Sequence, residues 1–145
     1  CLFYYLIVWE GTNIFIYWAT DPDLLNVDVY DALTEPDALL YVSAETVREL
    51  IVGYYNKSFD TKRWKNAEQM IRSITDTFYI EVLPVTNDTM LTYSRLRPYA
   101  QHGHKDPSDH VIISHAITEN MILVSSDTRF PYYCRQGLQL LFNEK

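Results

Sequence analysis

Cysteine is nearly absent from this chain. Its two cysteines, Cys1 and Cys134, provide no disulfide framework, and a reduced, cytosolic setting is the default for such a sequence. Long apolar runs are missing as well. The apolar opening stretch, residues 2–9, falls far short of the ~20 residues a membrane helix needs and lacks the basic front of a signal peptide. A soluble, cytoplasmic chain with no membrane partner is expected. Basic residues are in the minority, 12 Lys and Arg against 19 Asp and Glu, giving a net charge of −7. That excludes nucleic-acid binding through a general basic surface; contact with RNA or DNA would need a local basic patch, bound metal, or both. No phosphate loop of the G-x-x-x-x-G-K-[ST] type, no G-x-S-x-G elbow and no cysteine nucleophile motif occurs. Internal repeats, low-complexity tracts and linkers are also lacking, so no domain boundary is placed and residues 1–145 read as one domain.

What is present is a globular balance of 48% hydrophobic and 21% charged residues, enough for one substantial core. Twelve tyrosines suit half-buried positions and interfaces, a surplus that fits self-association and ordinary packing equally. Residues 2–9 read as a buried parallel strand. Residues 13–20 begin a helix, and Asp21-Pro22-Asp23 starts another with Pro at its first position. Residues 38–42 (ALLYV) read as a strand, after which Ser43 caps a helix carrying Val47, Leu50, Ile51 and Tyr54 at helical period. Residues 61–75 read as a longer helix, 78–83 as a strand, 88–99 as a helix and 101–105 as a polar loop. A helix over 107–119 with Val111, Ile112, His115 and Ala116 inward, a strand over 121–125 and a short strand over 138–142 complete the chain. Strands alternating with helices predict an α/β fold, a parallel β-sheet flanked by helices on both faces.

In such folds chemistry gathers at the carboxyl ends of the strands. Here those ends are acidic: Glu10 after the first strand, Glu49 after the second, Asp106 and Asp109 entering a late helix, and Asp127 after the fourth. Clustered carboxylates repel one another unless a cation neutralises them, and hard divalent ions such as Mg²⁺ or Mn²⁺ prefer oxygen ligands. Such a cluster is minimal equipment for metal-assisted phosphodiester hydrolysis. Each acid also has a purely structural reading. Asp106-Pro107-Ser108-Asp109 has the form of a helix start, with Asp106 as N-cap and Asp109 favourable to the dipole. Glu49 would then be a solvated helix residue and Asp127 a turn cap.

Four stretches resemble the motifs of PIN-domain proteins, in the right order. Tyr5-Leu6-Ile7 with Thr12-Asn13-Ile14-Phe15-Ile16-Tyr17 resembles the family's opening motif, and Val42-Ser43-Ala44-Glu45-Thr46-Val47-Arg48-Glu49-Leu50 the second. Asp106-Pro107-Ser108-Asp109 followed by Val111-Ile112-Ile113-Ser114-His115-Ala116 resembles the third, and Leu123-Val124-Ser125-Ser126-Asp127-Thr128-Arg129-Phe130 the fourth. In length and layout the toxins of VapBC toxin–antitoxin pairs are the nearest members. The resemblance implies a metal-dependent endoribonuclease with Glu49, Asp109 and Asp127 as ligands of Mg²⁺ or Mn²⁺ and Asp106 as an auxiliary acid or cap. It assigns Thr12 and Asn13 to support of the site, and Ser125 and Ser126 to contacts with phosphate or metal-bound water. An RNA substrate, a cognate antitoxin and a homodimer are the implied partners.

The sequence departs from the family at the first acid, where it has Gly11 beside Glu10. Three accounts stay open: a shifted backbone that lets Glu10 reach the metal, a degenerate and catalytically impaired site that leaves a PIN-like RNA- or protein-binding module, or an introduced change. Neighbouring strand residues point to opposite faces, so Glu10 does not replace an acid at 11 automatically, and glycine also suits a tight turn. His102, His104, His110 and His115 read as structural or RNA-contacting rather than zinc-binding, since no cysteine completes a set. Lys57, Lys62, Arg63, Lys65 and Arg72 form either a solvated face or a local patch for RNA. Aromatic helices between residues 44 and 75 could present a dimer face or antitoxin groove, with core packing explaining most of them. A phospho-accepting receiver domain fits less well, lacking an acidic pair after the first strand.

Overall fold

A computed structural model of the chain describes residues 6–9 (as backbone), 13–99 and 103–144. Among the described residues five short strands carry the fold: β1 (Leu6–Trp9), β2 (Leu39–Ser43), β3 (Glu81–Leu83), β4 (Ile122–Ser125) and β5 (Gln139–Phe142). They form one sheet in the order β3-β2-β1-β4-β5, and every adjacent pair is parallel. Six α-helices among the described residues are interleaved with them: α1 (Asn13–Thr20), α2 (Val27–Thr34), α3 (Ala44–Asn56), α4 (Ala67–Asp76), α5 (Asn87–Arg95) and α6 (Pro107–Glu119). The expected α/β class, with a parallel sheet, is what the chain adopts.

Strand side chains alternate between faces, and the register keeps each alternation intact across the sheet. Val42 pairs with Val82 and Val124 with Leu141, and all four belong to the core layer built with α1, α2, α3 and α4 around Phe15, Leu50, Met70 and Ile74. Leu123 pairs with Leu140, and both turn the other way, onto Ile112, Ile113 and Ala116 of α6 and onto Phe130 and Tyr133. Helices therefore cover both faces. Neither helix layer alone could bury both sides of strands this apolar.

Several element boundaries differ from those read in the sequence, each for a local reason. The helix expected over 61–75 starts only at Ala67, because Asn66 is its cap and accepts the Gln69 N–H at 2.7 Å. Trp64 is buried just outside that helix. Residue 79 lies in left-handed backbone (φ 56°), so β3 begins at Glu81 rather than 78. Helix α5 stops at Arg95, with Leu96 extended ahead of Pro98. Asp21-Pro22-Asp23 opens only a 3₁₀ turn, Pro22–Leu24; the helix that follows starts at Val27.

The strand order changes direction between β1 and β4, because β1 to β3 run outward on one side and the chain crosses back to β4. Crevices outside the carboxyl ends of strands at such a point are the usual ligand sites of open α/β sheets. The carboxyl end of β2 runs straight into α3, and that of β4 leads to Asp127.

Candidate metal centre

Ser43 makes the β2–α3 junction. Its hydroxyl accepts the Glu45 N–H at 3.1 Å, so α3 starts one residue after the strand ends. Glu45 occupies the first turn and Glu49 the next, four residues on and on the same side of the helix. Opposite them, Asp106 caps α6 by accepting the Ser108 N–H at 2.9 Å. Pro107 holds the first helical position, which also keeps Asp106 extended (ψ 110°). Asp109 then falls in the first turn of α6, where the helix dipole favours an anion. At the end of β4 the Ser125 hydroxyl accepts the Asp127 N–H at 3.0 Å and turns that residue toward the same space.

These elements enclose an open cleft of about 430 Å³, lined by Asn13, Glu49, Asp106, Asp109 and Asp127 together with Arg48, Ser108 and Arg129. Glu49, Asp106 and Asp109 each bring an oxygen within 4.8 Å of the others; so do Asp109 and Asp127, together with a ring nitrogen of His104. Asp109 belongs to both groups and is nearly buried, at 5% exposure. Asp106 caps α6 and at the same time lines the cleft.

The electrostatics are those of anions crowded without enough positive charge. Burial pushes the Glu49 carboxyl up to about 7, with repulsion from Asp109, Asp106 and Glu45 adding to it and the nearby Ser108 hydroxyl opposing it. Burial likewise pushes Asp109 up to about 7, aided by Asp106 and Asp127 and opposed by Arg129. Asp127 is the contrast. Burial raises it, but a fork from Arg129 (Nε to Oδ1 3.0 Å, Nη2 to Oδ2 2.7 Å) outweighs burial and holds it below its ordinary value. The same guanidinium reaches to 3.7 Å from Asp109. Arg129 thus stands as an internal counter-ion, partly filling the positive charge the acids call for.

The residues present fit a hard divalent cation. The donors are carboxylate oxygens, and Glu49 Oε1 is buried with no hydrogen-bond partner among the described residues. A buried carboxylate oxygen left unpaired is costly unless a cation or proton meets it.

Of the residues picked out in the sequence, Glu49, Asp106, Asp109 and Asp127 come together, and Asn13 lines the same cleft. Glu10, Gly11, Thr12 and His102 lie outside the described residues. Ser125 is buried and its hydroxyl is turned to the Asp127 backbone rather than into the cleft; Ser126 beside it is half-buried and likewise does not line the cleft. By accepting the Asp127 N–H, Ser125 shapes the turn that presents Asp127. Arg129 was not anticipated, and His104, read in the sequence as structural or RNA-contacting, lies against Asp109. Arg129 sits two residues past Asp127, a spacing that lets one turn hold both side chains. His104 carries no local signal, because only tertiary packing buries it.

An oxygen-rich cleft at the carboxyl edge of a parallel sheet defines a class, the α/β domain with a candidate divalent-metal centre. The chain belongs to the PIN domain family, whose model matches residues 11–136. That is a nuclease family that generally uses divalent metals. No curated protein matches the chain in sequence. Among solved structures it is similar to a chain of VapBC2 from Rickettsia felis, bound to a DNA fragment from its promoter (22% identity, 95% of this chain and 98% of that one, TM-score 0.68). It is also similar to VapBC-1 from nontypeable Haemophilus influenzae (23%, 97% and 99%, TM-score 0.63) and to FitAcB from Neisseria gonorrhoeae (19%, 95% and 96%, TM-score 0.61). These likenesses carry the fold. Among the described residues no helix is long and apolar enough to cross a membrane.

Proposed function

We propose that this chain is a metal-dependent endoribonuclease of the VapC type, the toxin of a toxin–antitoxin pair, working through Mg²⁺ or Mn²⁺ held by Glu49, Asp109 and Asp127. The carrying observation is the buried, unpartnered Oε1 of Glu49 among acids that offer oxygens within 4.8 Å of one another. A bound divalent ion there supplies activation of a water nucleophile and neutralisation of charge at phosphorus. The chain's own groups do the rest. Glu49 and Asp109 must surrender their protons to hold the ion, while Asp127 is kept ionised by Arg129. Asp106 holds the start of α6 in place and adds negative charge at the rim. Arg48 and Arg129 border the cleft, each already paired with an acid, Arg48 with Glu45 and Arg129 with Asp127, so an RNA phosphate would have to share them. An antitoxin segment covering the acidic cleft, and a homodimer, are the assembly this reading expects, in keeping with the VapBC and FitAcB complexes of similar fold.

A second reading rests on one sequence observation, Gly11 at the first acidic position of the family pattern: a catalytically impaired module that binds RNA or protein. One assay separates the two. Cleavage of RNA is followed with and without Mg²⁺ or Mn²⁺ for the chain as it stands, for Asp109→Asn and for Gly11→Asp. Metal-dependent cleavage lost in Asp109→Asn supports the nuclease; cleavage appearing only in Gly11→Asp supports the impaired module.

A further inference from the structure

The described histidines divide by their surroundings. His115 is tied to Ser43 at 2.8 Å, and His110 stands edge-on to His104 with ring centroids 4.7 Å apart. His104 alone touches a cleft acid. Gly103, in left-handed backbone (φ 64°) that glycine adopts without penalty, turns the chain so that His104 enters the core at 0% exposure. There its Nε2 lies 3.0 Å from Asp109 Oδ2 and its Nδ1 2.8 Å from the Tyr133 hydroxyl. The Tyr133 oxygen in turn accepts the Tyr99 N–H at 2.9 Å. His110 Nε2 lies farther from that hydroxyl, at 3.4 Å.

The donors and acceptors fix the direction of this chain. An ionised Asp109 can only accept, so Nε2 carries the ring proton and Nδ1 is left as an acceptor. The Tyr133 hydroxyl must then donate to Nδ1, and its oxygen is free to take the Tyr99 N–H. Every polar atom along the line is paired. The ring is also wedged against Phe130, centroid to centroid 5.9 Å, so it cannot swing away without opening the core.

We propose that His104, oriented by Tyr133, is a positioning residue that anchors Oδ2 of Asp109 and so sets the carboxylate's direction toward the cleft. This rests on the metal-centre reading above, and extends it from the acids to the buried layer behind them. Outer partners of this kind hold a ligand in one orientation, and losing them typically weakens metal binding 10–100-fold. The sequence supplies the parts at long range: a loop residue, a helix-start acid and a tyrosine near the carboxyl end, brought together only by packing.

The test uses the full chain and Mn²⁺ binding measured by calorimetry at pH 8. His104→Phe keeps a buried ring without a donor and is expected to bind Mn²⁺ about 10-fold or more weakly. His104→Gln, which can place an N–H near the Nε2 position, is expected to stay within about 3-fold of the unsubstituted chain. Tyr133→Phe removes only the far hydroxyl and is expected to fall between the two. Full affinity in His104→Phe, or equal loss in the Phe and Gln variants, overturns the proposal. A second readout needs no affinity. Nitrogen NMR of the histidine-labelled chain should show His104 protonated at Nε2 and unprotonated at Nδ1, unchanged when Mg²⁺ is added. Loss of the Nε2 proton on adding Mg²⁺ would make His104 a ligand and overturn the positioning role. Failure of the unsubstituted chain to bind Mn²⁺ while the Nε2–H pattern stands overturns the metal-centre reading instead.

Discussion

Raising the pH should tighten divalent-metal binding steeply, and the structure gives the size of the effect. Glu49 and Asp109 both titrate near 7, pushed there first by burial and then by their acidic neighbours. A cation takes the ionised forms, so each acid that is protonated before binding must release its proton. At pH 6 a group with a pKa near 7 is about nine-tenths protonated and at pH 8 about one-tenth, which costs affinity ~10-fold per group at the lower pH. Two such groups give ~100-fold between pH 6 and pH 8, and about one proton released per ion at pH 7. Asp127 adds nothing, since Arg129 already keeps it ionised, and His104, lowered by burial and Arg129, stays neutral through most of the window. Calorimetric Mn²⁺ titrations at pH 6, 7 and 8 measure the affinity, and repeating the pH 7 titration in buffers of different ionisation enthalpy counts the protons. An affinity flat to within about 3-fold over the window, with no proton release, would refute the raised acids and with them the crowding account of the cleft.

Stability without metal should run the other way. Acids raised above their ordinary values of 4.5 and 3.8 bind more protons folded than unfolded, so the metal-free chain loses stability as pH rises from about 4 to 7; urea midpoints across that range should fall, and Mn²⁺ should restore them. Asp109→Asn, which can still accept from His104, should stabilise the metal-free chain at pH 8 by about 1 kcal/mol after allowance for solvent screening while abolishing RNA cleavage; a lower urea midpoint would contradict this. Arg129→Gln removes the internal counter-ion, and Mn²⁺ should bind about 3- to 10-fold tighter by calorimetry, because the ion no longer displaces a guanidinium shared between Asp127 and Asp109. Ser43→Ala strips both the α3 cap and the His115 contact and should cost about 1–2 kcal/mol in urea unfolding.

The sheet and its flanking helices were legible because strand and helix periods leave marks a dozen residues long, as in Ile112, Ile113 and Ala116 of α6. Helix ends were less so. Trp64 and Met70 share one core layer, yet only Met70 is on the helix; hydrophobic spacing ran through the Asn66 cap without registering it. Glu49, Asp106, Asp109 and Asp127 were visible as a group since each follows a strand or opens a helix at the same sheet edge. His104 and Tyr133 were not, because a loop histidine and a distant tyrosine give no sign of burial until the chain has packed. The basic stretch is partly committed elsewhere: Arg63 donates to the Ala19 carbonyl at 2.6 Å and lies over Phe78, and Arg72 pairs with Glu68. Only packing reveals which charges remain available.

Asp106 does two things with one carboxylate. It accepts the Ser108 N–H that starts α6, and an oxygen of it lies within 4.8 Å of Glu49 and of Asp109 one turn along the same helix. Whatever charge enters the cleft must therefore be felt at the first turn of that helix. The Ser108 amide becomes a built-in reporter: its exchange with deuterated solvent should slow or quicken as the acids gain or lose a cation, so occupancy of the cleft can be followed on a backbone proton without any substrate.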